Sequence, residues 1–216
     1  MFTGIVREIG TVKKAMREKD LMRLEIACPT IRPNLGLGDS VSIDGCDLTV
    51  VKLTDKGFTC DATKETLALT TLGDFKTGTE VNLEPSLTPS TPISGHFVLG
   101  HIDGVGVVES LNRQGDQAEL IVSPPDELMK FIARKGSITV SGVGLTVVNV
   151  TDRTFSCWLI PYTLENTNLG DLKQGSRVNL EIDVLARYIV RAIEAGVKPD
   201  TSGRITQDFL KEHGFA

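Results

Sequence analysis

With 216 residues, 40 % of them hydrophobic, 24 % charged and 21 glycines, the chain has the composition of a folded globular protein of one large or two ordinary domains. A formal charge of -5 and a pI near 5.3 provide no basic field for tracking phosphates, which argues against nucleic acid as a partner. No apolar run reaches the roughly 18 residues of a membrane helix and no basic leader precedes an apolar core, so a cytoplasmic protein with no membrane partner is expected.

From Met1 to about Glu84 the pattern is one of short strands and turns. Gly4 to Val12 and Arg23 to Ala27 alternate apolar with polar residues, and the β-branched runs Ser40 to Ile43 and Leu48 to Leu53 flank an Asp44-Gly45 turn. Gly57 to Cys60 follows the turn Asp55-Lys56-Gly57, and Lys64 to Leu72 has room for a short helix. Strands about 8 to 12 residues apart predict a small closed barrel rather than an open sheet. Pro85 to Gly95, with three of the nine prolines, reads as a linker.

Beyond the linker the pattern repeats. Ser40 to Val51 matches Ser137 to Val148, 97 residues later, at six of twelve positions. In the same register Lys64 to Gly73 matches Pro161 to Gly170 at five of ten, and Lys76 to Glu84 matches Lys173 to Glu181 at six of nine. The chain is a tandem duplication. Extending that register places Leu99 to Asp103 on Phe2 to Val6, so His101 falls opposite Gly4 and Asp103 opposite Val6. Pro124 to Ile132 reads as an N-capped short helix with Leu128, Phe131 and Ile132 on one face, and Pro29 to Leu37 as its weaker counterpart.

After the second copy the period changes. Asp183 to Ala195 reads as an Asp-capped helix with a stripe of Leu185, Tyr188, Ile189 and Ile193, ended by Gly196 and Pro199. Such a stripe packs either back on the barrels or against other subunits. A short helical tail is expected over 205–216. The domains expected are thus 1–94, 95–183 and a helix-and-tail segment 184–216. Cys28, Cys46, Cys60 and Cys157 lack metal-ligand spacing, and with three histidines no zinc site or disulfide frame is expected; Cys28, Cys60 and Cys157 read as small buried hydrophobes.

Polar residues that recur in register are Thr49 with Thr146, Thr66 with Thr163, and Asn82 with Asn179. Their hydroxyls and amides suit either a neutral, hydroxyl-rich ligand or the capping of turns. Residues without a matching partner are Asp47, opposite Gly144, together with His101 and His96. A histidine in the glycine-rich stretch 95–106 is a candidate general base near neutral pH or a structural hydrogen-bond bridge, the latter favoured for His96.

Taken together, MFTGIV at the N-terminus, GHFVLGHIDGVG after the linker, the paired LTV turns, the KETL…LG and YTLE…T…LG segments and the closing VNLEID resemble the trimeric, alpha-chain type of riboflavin synthase. The resemblance implies an all-β chain of two tandem six-stranded Greek-key barrels with a C-terminal α-helix that builds a homotrimer. It implies active sites between the first barrel of one subunit and the second barrel of its neighbour. The implied reaction transfers a four-carbon unit between two molecules of 6,7-dimethyl-8-ribityllumazine, giving riboflavin and 5-amino-6-ribitylamino-uracil with no cofactor and no metal; a non-catalytic lumazine- or flavin-binding relative is the alternative. Lumazine synthase comes in as a possible partner by the same resemblance.

Carried onto this sequence, Gly4, Ile5 and Val6 would contact the first ligand's ring, with Ser40, Asp47, Leu48, Thr49, Asp61, Ala62, Thr63, Lys64, Glu65 and Thr66 around it. The second pocket would use Gly100, His101, Ile102, Gly144, Leu145, Thr146, Leu159, Ile160, Pro161, Tyr162, Thr163 and Leu164. Lys135 would reach in from a neighbouring subunit, Asp183 would lie near the interface and Phe2 would order the N-terminus. His101, Asp47 and Ser40 are the expected catalytic residues. Two positions depart from the family pattern: Asp47 stands where cysteine usually precedes the first LTV, with Cys46 one place earlier, and Gly144 stands where serine usually precedes the second.

Overall fold

The computed structural model describes residues 1–197 and 207–214; Pro199 and the ends of the expected tail lie outside them. The first copy forms β1 (Glu8–Glu18), β2 (Leu21–Ala27), β3 (Ser40–Ile43), β4 (Cys46–Leu53), β5 (Gly57–Thr63), helix α1 (Lys64–Leu69) and β6 (Glu80–Pro85). These six strands close into an antiparallel barrel in the order β1-β2-β5-β4-β3-β6. The second copy repeats it with β7 (Gly104–Gln114), β8 (Gln117–Ser123), β9 (Ser137–Val140), β10 (Val143–Val150), β11 (Phe155–Leu159), α2 (Pro161–Asn166) and β12 (Arg177–Ile182), in the same cyclic order. Helices α3 (Val184–Glu194) and α4 (Gln207–Glu212) follow.

Period-2 alternation sends Val41, Ile43, Leu48, Val50, Phe58, Cys60 and Ala62 into the first core and Ile138, Val140, Leu145, Val147, Phe155, Cys157 and Leu159 into the second. Each β3–β4 type hairpin turns on two residues of positive φ, Asp44-Gly45 at 45° and 86° and Ser141-Gly142 at 43° and 79°. Such turns match the strand twist, which explains why the glycine recurs in both copies. Bulges also recur, between Val12 and Lys14 and between Val108 and Ser110, and again at Val50/Lys52 and Val147/Asn149. All four cysteines are buried and free.

The register of the duplication differs from the sequence expectation at its start. Gly10 pairs with Val81 and Gly106 with Val178, so the first two strands of each copy correspond at an offset of 96 residues, and 97 applies only from Ser40 onward. Gly4 therefore matches Gly100, His101 matches Ile5 and Asp103 matches Arg7. The extra residue lies in the β8–β9 connection. There the expected N-capped helix is a 3-10 helix, Asp126–Phe131, with no side-chain cap, because the residue at its N-cap is Pro125, which has no side-chain acceptor. Strand β1 begins at Glu8 rather than Gly4 because residues 2–6 cross to the other barrel.

That crossing is reciprocal and builds an approximate two-fold between the barrels. Phe2 and Val98 exchange backbone hydrogen bonds of 2.7 and 3.1 Å. Val6 packs on the second core and Ile102 on the first. The recurring asparagines serve the same junction. Asn82 Nδ2 donates to Ser141 O at 2.8 Å, and Asn179 Nδ2 to Asp44 O at 2.9 Å. Each satisfies a turn of the opposite barrel. Asp44 accepts from Asn82 N at 2.7 Å and Asn168 Nδ2 at 3.0 Å, yet its complete burial raises its pKa to about 7.

Helix α3 is capped by Asp183, whose Oδ1 accepts from Leu185 N at 2.9 Å. Arg187 pins it to the second barrel through Asp103 at 2.8 Å, and Lys130 pairs with Glu194. Its apolar stripe does not face the barrels: Leu185, Tyr188, Ile189 and Ile193 are 60–70 % exposed. Of the two packings open to the sequence, the one back onto the barrels is not adopted.

Candidate functional site

Across β4, β3 and β6 the outer face of the first barrel carries Asp47, Ser42 and Glu84 in register, and the second barrel carries Gly144, Thr139 and Glu181 across β10, β9 and β12. The crossing segments tie these rows together. Glu84 accepts from Thr3 N and Thr3 Oγ1 at 2.7 Å and from Gly4 N at 3.0 Å. Glu181 accepts from Leu99 N, Gly100 N and His101 N at 2.6, 2.9 and 3.1 Å. Burial raises both carboxyls, Glu181 to about 7, against the pull of those N–H donors.

Each clamped segment then reaches the opposite barrel. Gly144 N donates to Gly4 O at 2.8 Å, and Asp47 N to Gly100 O at 3.0 Å. Gly4 and Gly100 have φ of 78° and 82°, and a Cβ on either would come within 2.7 Å of the Gly144 backbone or 2.5 Å of Asp47 Cβ. Only glycine allows that approach. The structure thus exchanges the two expected groupings: Gly4, Ile5 and Val6 lie with Gly144, Leu145 and Thr146, whereas Gly100, His101 and Ile102 lie with Asp47, Leu48 and Thr49. A tandem alignment keeps each segment with its own copy, and only the crossing reverses it.

Around Asp47 the first-copy site is a polar outer surface. Ser40 pairs with Thr49 and Ser42 with Asp47 on β3–β4, and α1 begins at the edge with Thr63 accepting from Thr66 N at 3.3 Å. Thr63, Lys64 and Glu65 are exposed, and Thr66 is half-buried. Asp61 is committed elsewhere, to a two-pronged ion pair with Arg23 at 2.8 and 2.9 Å, which lowers its pKa. That pair lines a groove of about 500 Å³ on the outside of β1, β2, β5 and β4, which shares only Asp61 with the expected site residues. Leu48, Ala62, Leu145 and Leu159 point into the cores and offer a ligand only backbone.

Cys46 does not stand in for a cysteine at position 47. One residue along a strand reverses the face, so its thiol is buried in the core and pushed up to about 12. Asp47 is the side chain on the outer face.

Around Gly144 the second site contains exposed Thr146, Ile160, Pro161 and Tyr162 and half-buried Thr163 and Leu164. Lys135, exposed, has a φ of 68° where the first copy has Gly38 at 85°. Left-handed backbone costs a non-glycine residue about 1 kcal/mol. The two histidines also part company. The His101 ring is exposed, with its charge felt by Asp103, while His96 lies half-buried over Gly144 with Nε2 3.3 Å from Thr139 Oγ1. Desolvation lowers the pKa of His96, opposed by Asp183. The sequence singled out His96 as lacking a counterpart and favoured a structural hydrogen-bond bridge for it; its place over Gly144 depends on the crossing.

The lumazine-binding domain model matches the chain twice, over residues 3–86 and 99–183. Riboflavin synthase of Photobacterium phosphoreum is 37 % identical over 216 residues, covering 100 % of this chain and 99 % of that protein. The Bacillus subtilis enzyme is 36 % identical over 215 residues, with 100 % of both chains covered. Among solved structures, LumP complexed with 6,7-dimethyl-8-(1'-D-ribityl) lumazine superposes with a TM-score of 0.77 at 28 % identity, and LumP complexed with riboflavin with 0.80 at 28 %, each over 84 % of this chain and 99 % of the other. The two matched units are the two barrels, and the enzymes align with the chain over its full length; the chain belongs to the riboflavin synthase family.

Proposed function

We propose that the chain works as a riboflavin synthase, a cytoplasmic transferase that holds two molecules of 6,7-dimethyl-8-ribityllumazine on its two barrels and moves a four-carbon unit from one to the other. Residues 1–94 and 95–183 are its two lumazine-binding units, and 184–216 is the assembly element. The observation that carries this reading is the pair of equivalent outer-face sites, one beside Asp47 and one beside Gly144, in a chain matched from end to end by riboflavin synthases.

A dismutation of two identical molecules needs two similar pockets brought face to face. Within one chain the Asp47 and Gly144 rows flank a common two-fold instead of opposing each other, so pairing of pockets falls between subunits. The uncovered stripe on α3 supplies an apolar surface for a homotrimer. Catalysis then rests chiefly on holding the two rings in register, worth up to about 7–11 kcal/mol in well-aligned systems, with acid–base help from Asp47, Ser40 and His101. Rigid mounting favours this, since Gly4 and Gly100 fix the approach of each crossing segment.

Conversion of purified 6,7-dimethyl-8-ribityllumazine to riboflavin, followed by visible absorbance, tests the reading. Riboflavin should accumulate to one molecule for every two lumazines consumed. Binding without conversion would instead establish the second reading, a ligand-holding protein, which the likeness to LumP complexes favours.

A further inference from the structure

Two ion pairs hold helix α3 by one face, and both end on the second barrel. Near the start of the helix Arg187 Nη2 lies 2.8 Å from Asp103 Oδ1, and at its last residue Glu194 pairs with Lys130 in the β8–β9 connection. The first barrel offers neither partner, because Arg7 stands at the position of Asp103, and Pro33 or Asn34 at that of Lys130. Leu185, Tyr188, Ile189 and Ile193 meanwhile stay exposed.

The pair at Asp103 is the one that can hold a direction. The Asp103 side chain is only 10 % exposed, and its second oxygen accepts from Ile182 N at 2.9 Å, so the carboxylate is already fixed by the end of β12 when Arg187 meets it. Asp103 N in turn donates to Leu180 O at 2.8 Å. A charge-assisted bond between an immobile carboxylate and a planar guanidinium constrains distance and angle together. Lys130 and Glu194 are both about half exposed, and a pair of that kind holds little. Asp103 is also the end of the crossing segment. Glu181 fixes Leu99, Gly100 and His101 by their amides, Ile102 packs on the first core, and Asp103 ties the same segment to α3.

We propose that Asp103 and Arg187 are positioning residues of the transfer reaction: their ion pair sets the direction in which α3 leaves the second barrel, and thereby the alignment of a neighbouring subunit's lumazine site with the crossing segment that carries His101. This rests on the functional reading above, in which the paired sites lie between subunits and the α3 stripe makes the assembly contact. Helix, crossing segment and second barrel then move as one piece, and a neighbour seated on the stripe meets His101 at a fixed angle. The stripe supplies the attraction and the ion pair the direction. Reaction between two held rings is steep in alignment, a misplacement of about 1 Å costing up to about 100-fold, so loss of the pair acts on the transfer step and not on the holding of either ligand.

Sedimentation, riboflavin titration, kcat and KM for lumazine are compared between the full-length protein, Arg187→Met, Arg187→Lys, Asp103→Asn and the double variant Asp103→Asn/Arg187→Met. Arg187 lies on the helix surface and Asp103→Asn keeps an acceptor for Ile182 N, so neither change opens a barrel core. Trimer, riboflavin affinity and KM should stay as in wild type while kcat falls about 10-fold in Arg187→Met and in Asp103→Asn. The double variant should lose no more than either single one, because both remove the same pair. Arg187→Lys, which keeps the charge without the fork, should recover part of the rate. Wild-type kcat in Arg187→Met overturns the proposal, as do losses that add in the double variant. A dissociated trimer or weakened riboflavin binding in Arg187→Met also overturns it, since the pair would then be an assembly or ligand contact. A wild-type protein that forms no trimer or converts no lumazine overturns the underlying functional reading instead.

Discussion

The two barrels share strand order, bulge positions, hairpin turns and the asparagines that lock them together, yet their outer faces carry different chemistry. On the first, Asp47 stands beside a crossing segment that carries His101; on the second, bare Gly144 stands beside one that carries Ile5, with His96 over it. Only the second barrel has an acid, Asp103, at the position that pins α3 through Arg187, the first having Arg7 there. Positions facing core and junction must satisfy the same packing in both copies and so stay alike. Positions facing a ligand or a neighbouring subunit are free to diverge, and a reaction that treats two identical substrates differently requires that they do.

The comparison breaks most completely at the helix. Removing residues 184–216 should leave two folded barrels but no trimer and essentially no turnover, because the stripe of Leu185, Tyr188, Ile189 and Ile193 contributes nothing to either core. Sedimentation of the truncated chain decides this, and an intact trimer would remove α3 from the assembly.

Next in size is the junction. Gly100→Ala places a Cβ 2.5 Å from Asp47 Cβ at a φ of 82°, combining left-handed strain with overpacking. The two together should cost about 2–5 kcal/mol in urea unfolding. Gly4→Ala, which meets the Gly144 backbone at 2.7 Å, should cost as much, and unequal losses would show that the two crossings are not equivalent.

Asp47 sharpens the difference between the sites themselves. Asp47→Asn should lower turnover about 10- to 1000-fold while leaving riboflavin affinity within a few-fold, and Asp47→Cys should retain or raise the rate. Unchanged kcat in Asp47→Asn means that Asp47 is a strand residue and nothing more.

The smallest expected effect is on stability against pH. Asp44, buried at the junction, has its folded pKa raised from 3.8 to about 7, so the folded chain binds a proton there that the unfolded chain releases. Its contribution is therefore fully present below about pH 4 and is lost as pH rises to 7, then levels off. Between pH 5 and 8 this amounts to roughly 3 kcal/mol. Asp44→Asn keeps an acceptor for Asn82 N and Asn168 Nδ2, and it should reduce the slope of the urea midpoint over that range, leaving the part that the buried Glu181 contributes. Its counterpart Ser141 has no charge to lose, so Ser141→Ala should leave the slope as it is.

Much of this architecture was legible without coordinates. The alternation of apolar residues, the Asp-Gly turn and the in-register repeat from Ser40 onward are local, and each follows from period-2 burial or from the φ a turn demands. The stripe on α3 was equally plain, since a 3.6-residue period does not depend on a partner. What the sequence could not supply were relations across the two-fold. The offset of 96 in the first strands was hidden because few identities survive there, and one residue of misregister moved His101 onto Gly4. Asn82 and Asn179 recur as if each capped its own barrel, but their amides serve the other. Gly4 belongs with Gly144, Gly100 with Asp47, and His96 with the second site, because two glycines at positive φ let each crossing segment come close enough to trade backbone hydrogen bonds with the opposite barrel. That proximity is a property of packed surfaces, fixed only when both barrels are folded against each other.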